Sequence, residues 1–322
     1  MKLKDIYLKL SNDIQEIEKE LEYSLQAEQP VLRQASLHLL KAGGKRIRPV
    51  FVLLSGKFGD YQIETMKKVA VPLELIHMAS LVHDDVIDDA TMRRGRKTIK
   101  AKWDNRIAMY TGDYIFARAL SIMTDLNNKQ AHQTLSSAIR EMTIGEIEQI
   151  RDQYNWDQTL RNYLKRIKRK TALLIAVSCH LGGVAANVSQ KEADALYRFG
   201  YNVGMSFQIT DDILDFTGTE KQLGKPAGSD LLQGNLTLPA LYAIKDPDIR
   251  KKVNKVTIET NLTQTDIKEI LTLIRNSGGI EYADQCSKRY LNRAFNELEQ
   301  LPDIEARQSL YEIAKYIGTR KY

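Results

Sequence analysis

The sequence predicts an all-α protein folded as a single domain over residues 1–322, and three observations lead there. Apolar residues recur at spacings of three and four, stretches that alternate apolar and polar residues are few, and only seven prolines interrupt 322 residues. An apolar fraction of 43% with 27% charged residues is that of a globular chain able to bury a sizeable core, which excludes disordered, fibrous and low-complexity classes. No composition shift or proline-rich linker divides the chain.

The opening segment shows the helical period. Leu3, Tyr7, Leu10, Ile14, Ile17 and Leu21 follow spacings of four and three in turn, which predicts one helix with one apolar seam, serving either the protein's own core or a partner subunit. Helix breaks are expected at "KAGGKRIRP", at "KFGDYQ", at Arg94-Gly95, at "LNNKQ", at "DQYNWD" and at "LGGVAANVSQ". A last break, residues 218–234, holds four glycines and is too long for a simple turn, so it reads as a mobile lid or binding loop. No apolar run approaches the roughly 18–20 residues that span a bilayer, and "MKLKDIYLKLSND" lacks the pattern of a signal peptide. The expectation is a cytoplasmic protein with no transmembrane segment. Cys179 and Cys286 give neither a disulfide framework nor a metal spacing and read as buried thiols. His77 and His83 are six apart, the wrong spacing for a zinc pair, and His38, His132 and His180 read as structural.

A net charge of +6 admits a polyanionic partner. The basic residues lie in short clusters, "GGKRIRP", "RRGRK" and "KRIKRK", a pattern that suits several arms closing on one anion. Between them stand two motifs that answer each other. Residues 84–88 read Asp-Asp-Val-Ile-Asp and residues 211–215 read Asp-Asp-Ile-Leu-Asp, each after an apolar stretch. On a helix Asp84 and Asp88 share a face one turn apart, as do Asp211 and Asp215, while Asp85 and Asp212 sit about 100° round. Like charges so placed repel unless they take up protons or bind a cation. Magnesium, a hard ion that accepts carboxylate oxygens and shares its other positions with phosphate, removes the conflict. One such motif alone reads as a solvated helix end. Two of them, if they face each other across a cavity, would hold ions over a diphosphate, and arginine and lysine would grip it by paired hydrogen bonds and point charge.

These residues resemble a known family, the all-trans isoprenyl diphosphate synthases. The two aspartate motifs, "GGKRIRP", "DDATMRRG", "RKTA" and "GKPAGSDLLQGNLTLPAL" fall in family order from about residue 43 to 240. The resemblance implies an isoprenoid synthase bundle of antiparallel helices around a deep central cavity. It implies Mg2+ as cofactor, three ions with diphosphate bound, on Asp84, Asp85, Asp88, Asp211, Asp212 and Asp215. It assigns Arg93, Lys170, Thr171, Gln208 and Lys225 to the allylic diphosphate and Lys45, Arg48, His77 and Arg94 to isopentenyl diphosphate. The implied reaction is successive condensation of isopentenyl diphosphate onto an allylic diphosphate such as farnesyl diphosphate, giving a long-chain, heptaprenyl product for the menaquinone side chain. The implied partner is a small noncatalytic subunit in a heteromer, with a homodimer when the chain is isolated. Asn235 departs from the lysine that many relatives carry in this segment.

The chemistry asks for these residue types. Ionising an allylic diphosphate leaves negative charge on the departing oxygen, where cations are needed, and no serine, cysteine or histidine nucleophile is required. Counting back from Asp84, Ser80, Ala79 and Ile76 lie on or beside the same helix face and read as a chain-length tunnel, with small Ser80 and Ala79 leaving room and Ile76 contributing its floor. A terpene cyclase usually carries a differently spaced second motif, and noncatalytic subunits usually lose the six carboxylates kept here. A nucleic-acid-binding protein would explain the charge but not the paired carboxylates. A P-loop is excluded by Pro226 after the Gly-Lys pair.

Overall fold

A computed structural model describes residues 3–219, 226–255 and 263–320. In chain order the helices are α1 (Leu3–Lys9), α2 (Ser11–Ser24), α3 (Pro30–Leu40), α4 (Ile47–Gly56), α5 (Ile63–Ile87), α6 (Ile99–Lys102), α7 (Asn105–Met123), α8 (Lys129–Asp152) and α9 (Leu160–Ile167). A π-helical turn (Lys168–Ala172) leads into α10 (Leu173–Ala185), followed by α11 (Gln190–Thr217), α12 (Ser229–Leu232), α13 (Leu238–Ala243), α14 (Pro247–Val253), α15 (Gln264–Asn276), α16 (Gly279–Leu298) and α17 (Glu305–Thr319). The all-α expectation holds, with one addition. Strands β1 (Met92–Arg93) and β2 (Arg96–Lys97) pair antiparallel, Met92 opposite Lys97 and Arg93 opposite Arg96. The two loop residues, Arg94 and Gly95, both have positive φ (50° and 74°), the combination that matches a two-residue hairpin to the twist of its strands.

The predicted breaks fall between helices, and several helix starts carry a polar cap. Asp104 accepts from the Ile107 N–H at 2.7 Å, while Thr159 with Asn162 and Thr263 with Asp266 form capping boxes. The opening helix is corrected: Leu10 interrupts it, so the seam is shared by α1 and α2. Leu10, Ile17 and Leu21 are buried, and Ile6, outside the predicted seam, is buried as well. Those positions therefore serve this chain's own core.

Two compact units emerge. The first comprises Met1–Leu135, Val177–Tyr197 and Gln300–Glu312, and the second Ser136–Ala176, Arg198–Glu299 and Ile313–Tyr322. In the first unit α5 is enclosed on every side, with the run from Val69 to Ile76 fully buried, which explains why its sequence is apolar all round. It packs most extensively on α7. Gly182 lets α10 approach α4 closely, since a Cβ there would stand 2.4 Å from the Val52 carbonyl oxygen. Cys179 is buried there, and burial pushes its thiol pKa well up.

The second unit is built on Trp156, Tyr163, Ile167, Met205, Ile209, Phe216, Leu236 and Ile274, drawn from α9, α11, α15 and the connections between helices. Here Cys286, expected to be buried, is only half-buried. The π-helical turn rests on α11 at Gly204, where an added Cβ would lie 2.5 Å from the Ala172 Cα. Backbone cannot retreat as a flexible side chain can. Gly204→Ala is therefore expected to destabilise the fold by about 1–3 kcal/mol in urea unfolding; unchanged stability would mean that the turn adjusts freely.

Candidate active site

The first aspartate motif ends α5. Asp88 is its C-cap, and the Asp88 N–H donates to the Asp84 carbonyl at 2.8 Å, so the two side chains stand one turn apart as the spacing predicts. Asp84 is half-buried, Asp88 is exposed and Asp85 is 3% exposed. The hairpin brings Arg93 back to Asp85: Nε and Nη2 both donate to Oδ1, at 2.8 and 2.7 Å. Burial nevertheless raises the Asp85 pKa, with Arg93 opposing that shift. Arg93, predicted for the allylic diphosphate, thus also supports a predicted metal ligand.

Lys45, Arg48, His77 and Arg94 belong to the same unit. Arg48 is partly buried with its Nε fully enclosed, and desolvation lowers its pKa to about 10 despite the nearby charge of Glu74. Desolvation also lowers the His77 pKa well below the ordinary imidazole value, and Arg48, Arg94, Arg93 and Arg46 push it the same way. A neutral imidazole amid arginines results. Lys45 is exposed, and its carbonyl accepts from the Tyr7 hydroxyl. Arg94 lies over the backbone of Gly44, where a Cβ would sit 2.5 Å from Nη1, so the glycine pair of "GGKRIRP" makes room for a guanidinium. Of the tunnel residues, Ile76 and Ala79 are buried on α5, and the half-buried Ser80 donates to the His77 carbonyl.

The second motif lies at the end of α11. Asp212 is 2% exposed and accepts two hydrogen bonds, from Tyr163 at 2.7 Å and from the Gln208 amide at 2.9 Å. Gln208 in turn accepts from Thr171 at 2.6 Å, so the π-helical turn, α9 and α11 meet on one carboxylate. A π-helical turn inside a helical run commonly marks a functional position. Lys170, on that turn, donates to Gln149 at 3.0 Å and pairs with Glu146 at 3.6 Å. Asp215 anchors the next segment, since its carbonyl accepts from the Gly228 N–H and its carboxylate accepts from Ser229. Arg320 donates to Asp211, with its guanidinium 4.3 Å from the centre of the Phe207 ring. Lys225 and the 220–225 part of the expected lid lie outside the described residues. Asn235 uses its backbone N–H, which donates to the Asp230 carbonyl.

Tyr163, Glu74 and Arg320 were missed by sequence reasoning. A tyrosine in a helix reads as core and a glutamate as solvated face, and nothing local signals their partners. The structural reading of three histidines holds: His38, His132 and His180 each hydrogen-bond a backbone carbonyl.

Among the described residues no group of three or more His, Cys, Asp or Glu side chains is assembled around an ion position. The donor set still fits a hard divalent cation. Each motif offers carboxylate oxygens alone, and Asp212 is held in place by two neutral donors. Burial raises its pKa to about 7. A divalent ion would offset that desolvation.

Residues 29–274 match the Polyprenyl synthetase family. The chain belongs to that family. It is 59% identical to heptaprenyl diphosphate synthase component 2 of Bacillus subtilis (strain 168), over all of this chain and 92% of that protein. Among solved structures it is similar to heptaprenyl diphosphate synthase from Staphylococcus aureus, with a TM-score of 0.92 and 44% identity over 97% of this chain and 98% of that one. It is also similar to a polyprenyl synthase from Caulobacter crescentus CB15 complexed with calcium and isoprenyl diphosphate, with a TM-score of 0.94 and 29% identity over 100% and 98% of the two chains. As a polyprenyl synthetase with these likenesses, the chain is a prenyltransferase of the all-α isoprenoid synthase fold. No helix among the described residues is long and apolar enough to cross a membrane.

The folded chain keeps a proton on Asp212 up to about pH 7, whereas the unfolded chain releases it near the ordinary value of 3.8. Its stabilising share is complete below pH 3.8 and is lost as pH rises through 7. In the presence of EDTA, Asp212→Asn should flatten that decline and melt no lower than the parent at pH 8; with Mg2+ supplied in place of EDTA, the variant should lose the prenyl transfer that the parent retains. A variant melting well below the parent at pH 8 would show that the carboxylate is compensated.

Proposed function

We propose that this chain is the catalytic subunit of a magnesium-dependent heptaprenyl diphosphate synthase. It is folded as one domain, acts in the cytoplasm, and partners a small noncatalytic subunit or, in isolation, a second copy of itself. It condenses isopentenyl diphosphate successively onto an allylic primer such as farnesyl diphosphate, and its product supplies the menaquinone side chain. The observation that carries this reading is the duplicated aspartate motif, each copy ending a buried helix, within a chain that matches a heptaprenyl diphosphate synthase component along its full length. The word "component" in that relative's name supports a partner subunit.

Magnesium, three ions in this reading, would supply charge neutralisation on the departing diphosphate. Asp84, Asp85 and Asp88 and, from the second motif, Asp211, Asp212 and Asp215 would hold it. Tyr163 and Gln208 orient Asp212 by donating to its two oxygens, and Thr171 orients Gln208. Arg93, Lys170, Thr171, Gln208 and Lys225 serve the allylic diphosphate, and Lys45, Arg48, His77 and Arg94 serve isopentenyl diphosphate. The allylic C–O bond breaks with its electron pair going to the diphosphate. The double bond of isopentenyl diphosphate attacks the cation to form the new C–C bond, and a proton passes to the departed diphosphate. The arginines stay charged throughout, and His77, held neutral, presents a hydrogen-bond donor without inviting proton transfer.

Mass spectrometry of products from farnesyl diphosphate, labelled isopentenyl diphosphate and Mg2+, with and without the small subunit, tests the assignment. A thirty-five-carbon diphosphate formed with the partner is expected, and Asp84→Ala or Asp211→Ala should lower turnover by about a thousandfold or more with the fold intact. Long-chain synthesis by the chain alone would retain the chemistry and reject obligatory partnership; no elongation in either case would reject the proposal. For the tunnel, Ile76→Gly should shift products to longer chains, and an unchanged distribution would remove Ile76 from its floor.

A further inference from the structure

In the first unit a single carboxylate stands among the arginines assigned to isopentenyl diphosphate. Glu74, on α5 one turn before His77, has a side chain 3% exposed. Its Oε1 accepts from Arg46 Nη1 at 3.2 Å, and its Oε2 is enclosed with no hydrogen-bond partner. Its charge acts on Arg46, Arg48 and Arg94 alike. Arg46 is a strut: 6% exposed, it donates to Glu18, Glu74 and the Leu40 carbonyl, which uses Nε and both terminal nitrogens. Its backbone is left-handed (φ 47°) and caps the start of α4, one residue beyond the Gly43-Gly44 pair, so its side-chain anchoring holds the turn that presents Lys45 and Arg48.

Count the charges. Arg46, Arg48 and Arg94 are cations, Glu18 pairs with Arg46, and Glu74 supplies the remaining negative charge. Removing one partner from a buried charged set leaves the others uncompensated, which destabilises the set unless another anion takes the place. A diphosphate is such an anion, and it would meet Glu74 as a like charge.

We infer that Glu74 is the internal counter-charge of the isopentenyl diphosphate site and, through Arg46, a positioning residue for it: it ties down Arg46, which holds the turn carrying Lys45 and Arg48, and opposes the diphosphate once bound. The elongated product must release its diphosphate from this site before the next condensation, so a successive enzyme gains from a site that does not bind that group too tightly. The inference rests on the assignment of Lys45, Arg48, His77 and Arg94 made above.

Glu74→Gln keeps the shape and an acceptor for Arg46 and removes the charge. Calorimetric titration without metal should show isopentenyl diphosphate and inorganic pyrophosphate binding about tenfold tighter than to the parent. The ligand-free variant should melt lower and gain more in melting temperature from pyrophosphate. In turnover, KM for isopentenyl diphosphate and kcat should both fall, whereas a merely structural role would weaken binding together with stability. A Glu74→Gln variant that does not fold alone should be restored by pyrophosphate during purification, and failure to restore it overturns the inference. Arg48→Ala in the same titration separates the two levels. If Arg48→Ala leaves isopentenyl diphosphate binding unchanged, the site assignment fails and Glu74's role with it; if Arg48→Ala weakens binding and Glu74→Gln does not tighten it, the counter-charge role alone is overturned.

Discussion

Carboxylates drawn out of water at the ends of two apolar helices set the terms for the chemistry of this chain. Helices α5 and α11 are buried along much of their length, and each ends in a motif whose central aspartates, Asp85 and Asp212, come to rest almost without solvent. An ion so placed either finds compensation or takes up a proton. The compensation differs between the motifs. Asp85 meets a cation, Arg93, whereas Asp212 meets two neutral donors, Tyr163 and Gln208, and keeps a pKa near neutrality. Asp85 is ion-paired, and Asp212 is oriented by neutral donors.

Much of the unusual backbone geometry lies where these groups must be delivered. Arg94 and Gly95 turn the hairpin that returns Arg93 to Asp85, Arg46 opens α4 from a left-handed conformation, and the π-helical turn from Lys168 to Ala172 brings Thr171 to Gln208. A non-glycine residue in such a conformation costs on the order of 1–3 kcal/mol and persists only where its surroundings hold it. Here they do: Arg46 is tied by two carboxylates and a carbonyl, and the π-helical turn seats on the bare backbone of Gly204. Backbone strain and charge placement are parts of one arrangement.

Groups that bind are distinct from groups that keep binders in place. Arg46 sits in a basic cluster that reads from sequence as one anion-binding stretch, yet its side chain is spent on Glu18, Glu74 and the Leu40 carbonyl. Adjacent residues on a helix start point in different directions, so a run of basic letters divides into ligands and struts only once the helix is packed.

What the sequence by itself determined was set by short-range physics: the helical period, the breaks at glycines and polar caps, the spacing that puts Asp84 with Asp88 and Asp211 with Asp215 on one face, and the order of motifs that marks the family. These are legible because each depends on residues a few positions apart. What only the tertiary structure decided depends on residues far apart in the chain. Tyr163 meets Asp212 across 49 positions and Glu74 meets Arg46 across 28, and no local pattern records either pairing. The interruption at Leu10 of a helix that periodicity draws as continuous, and the left-handed Arg46, are likewise settled beyond local propensity, which favours an unbroken helix in the first case and disfavours the conformation in the second. A carboxylate's charge is written in the sequence; whether that charge is compensated is a property of the neighbours that folding brings to it.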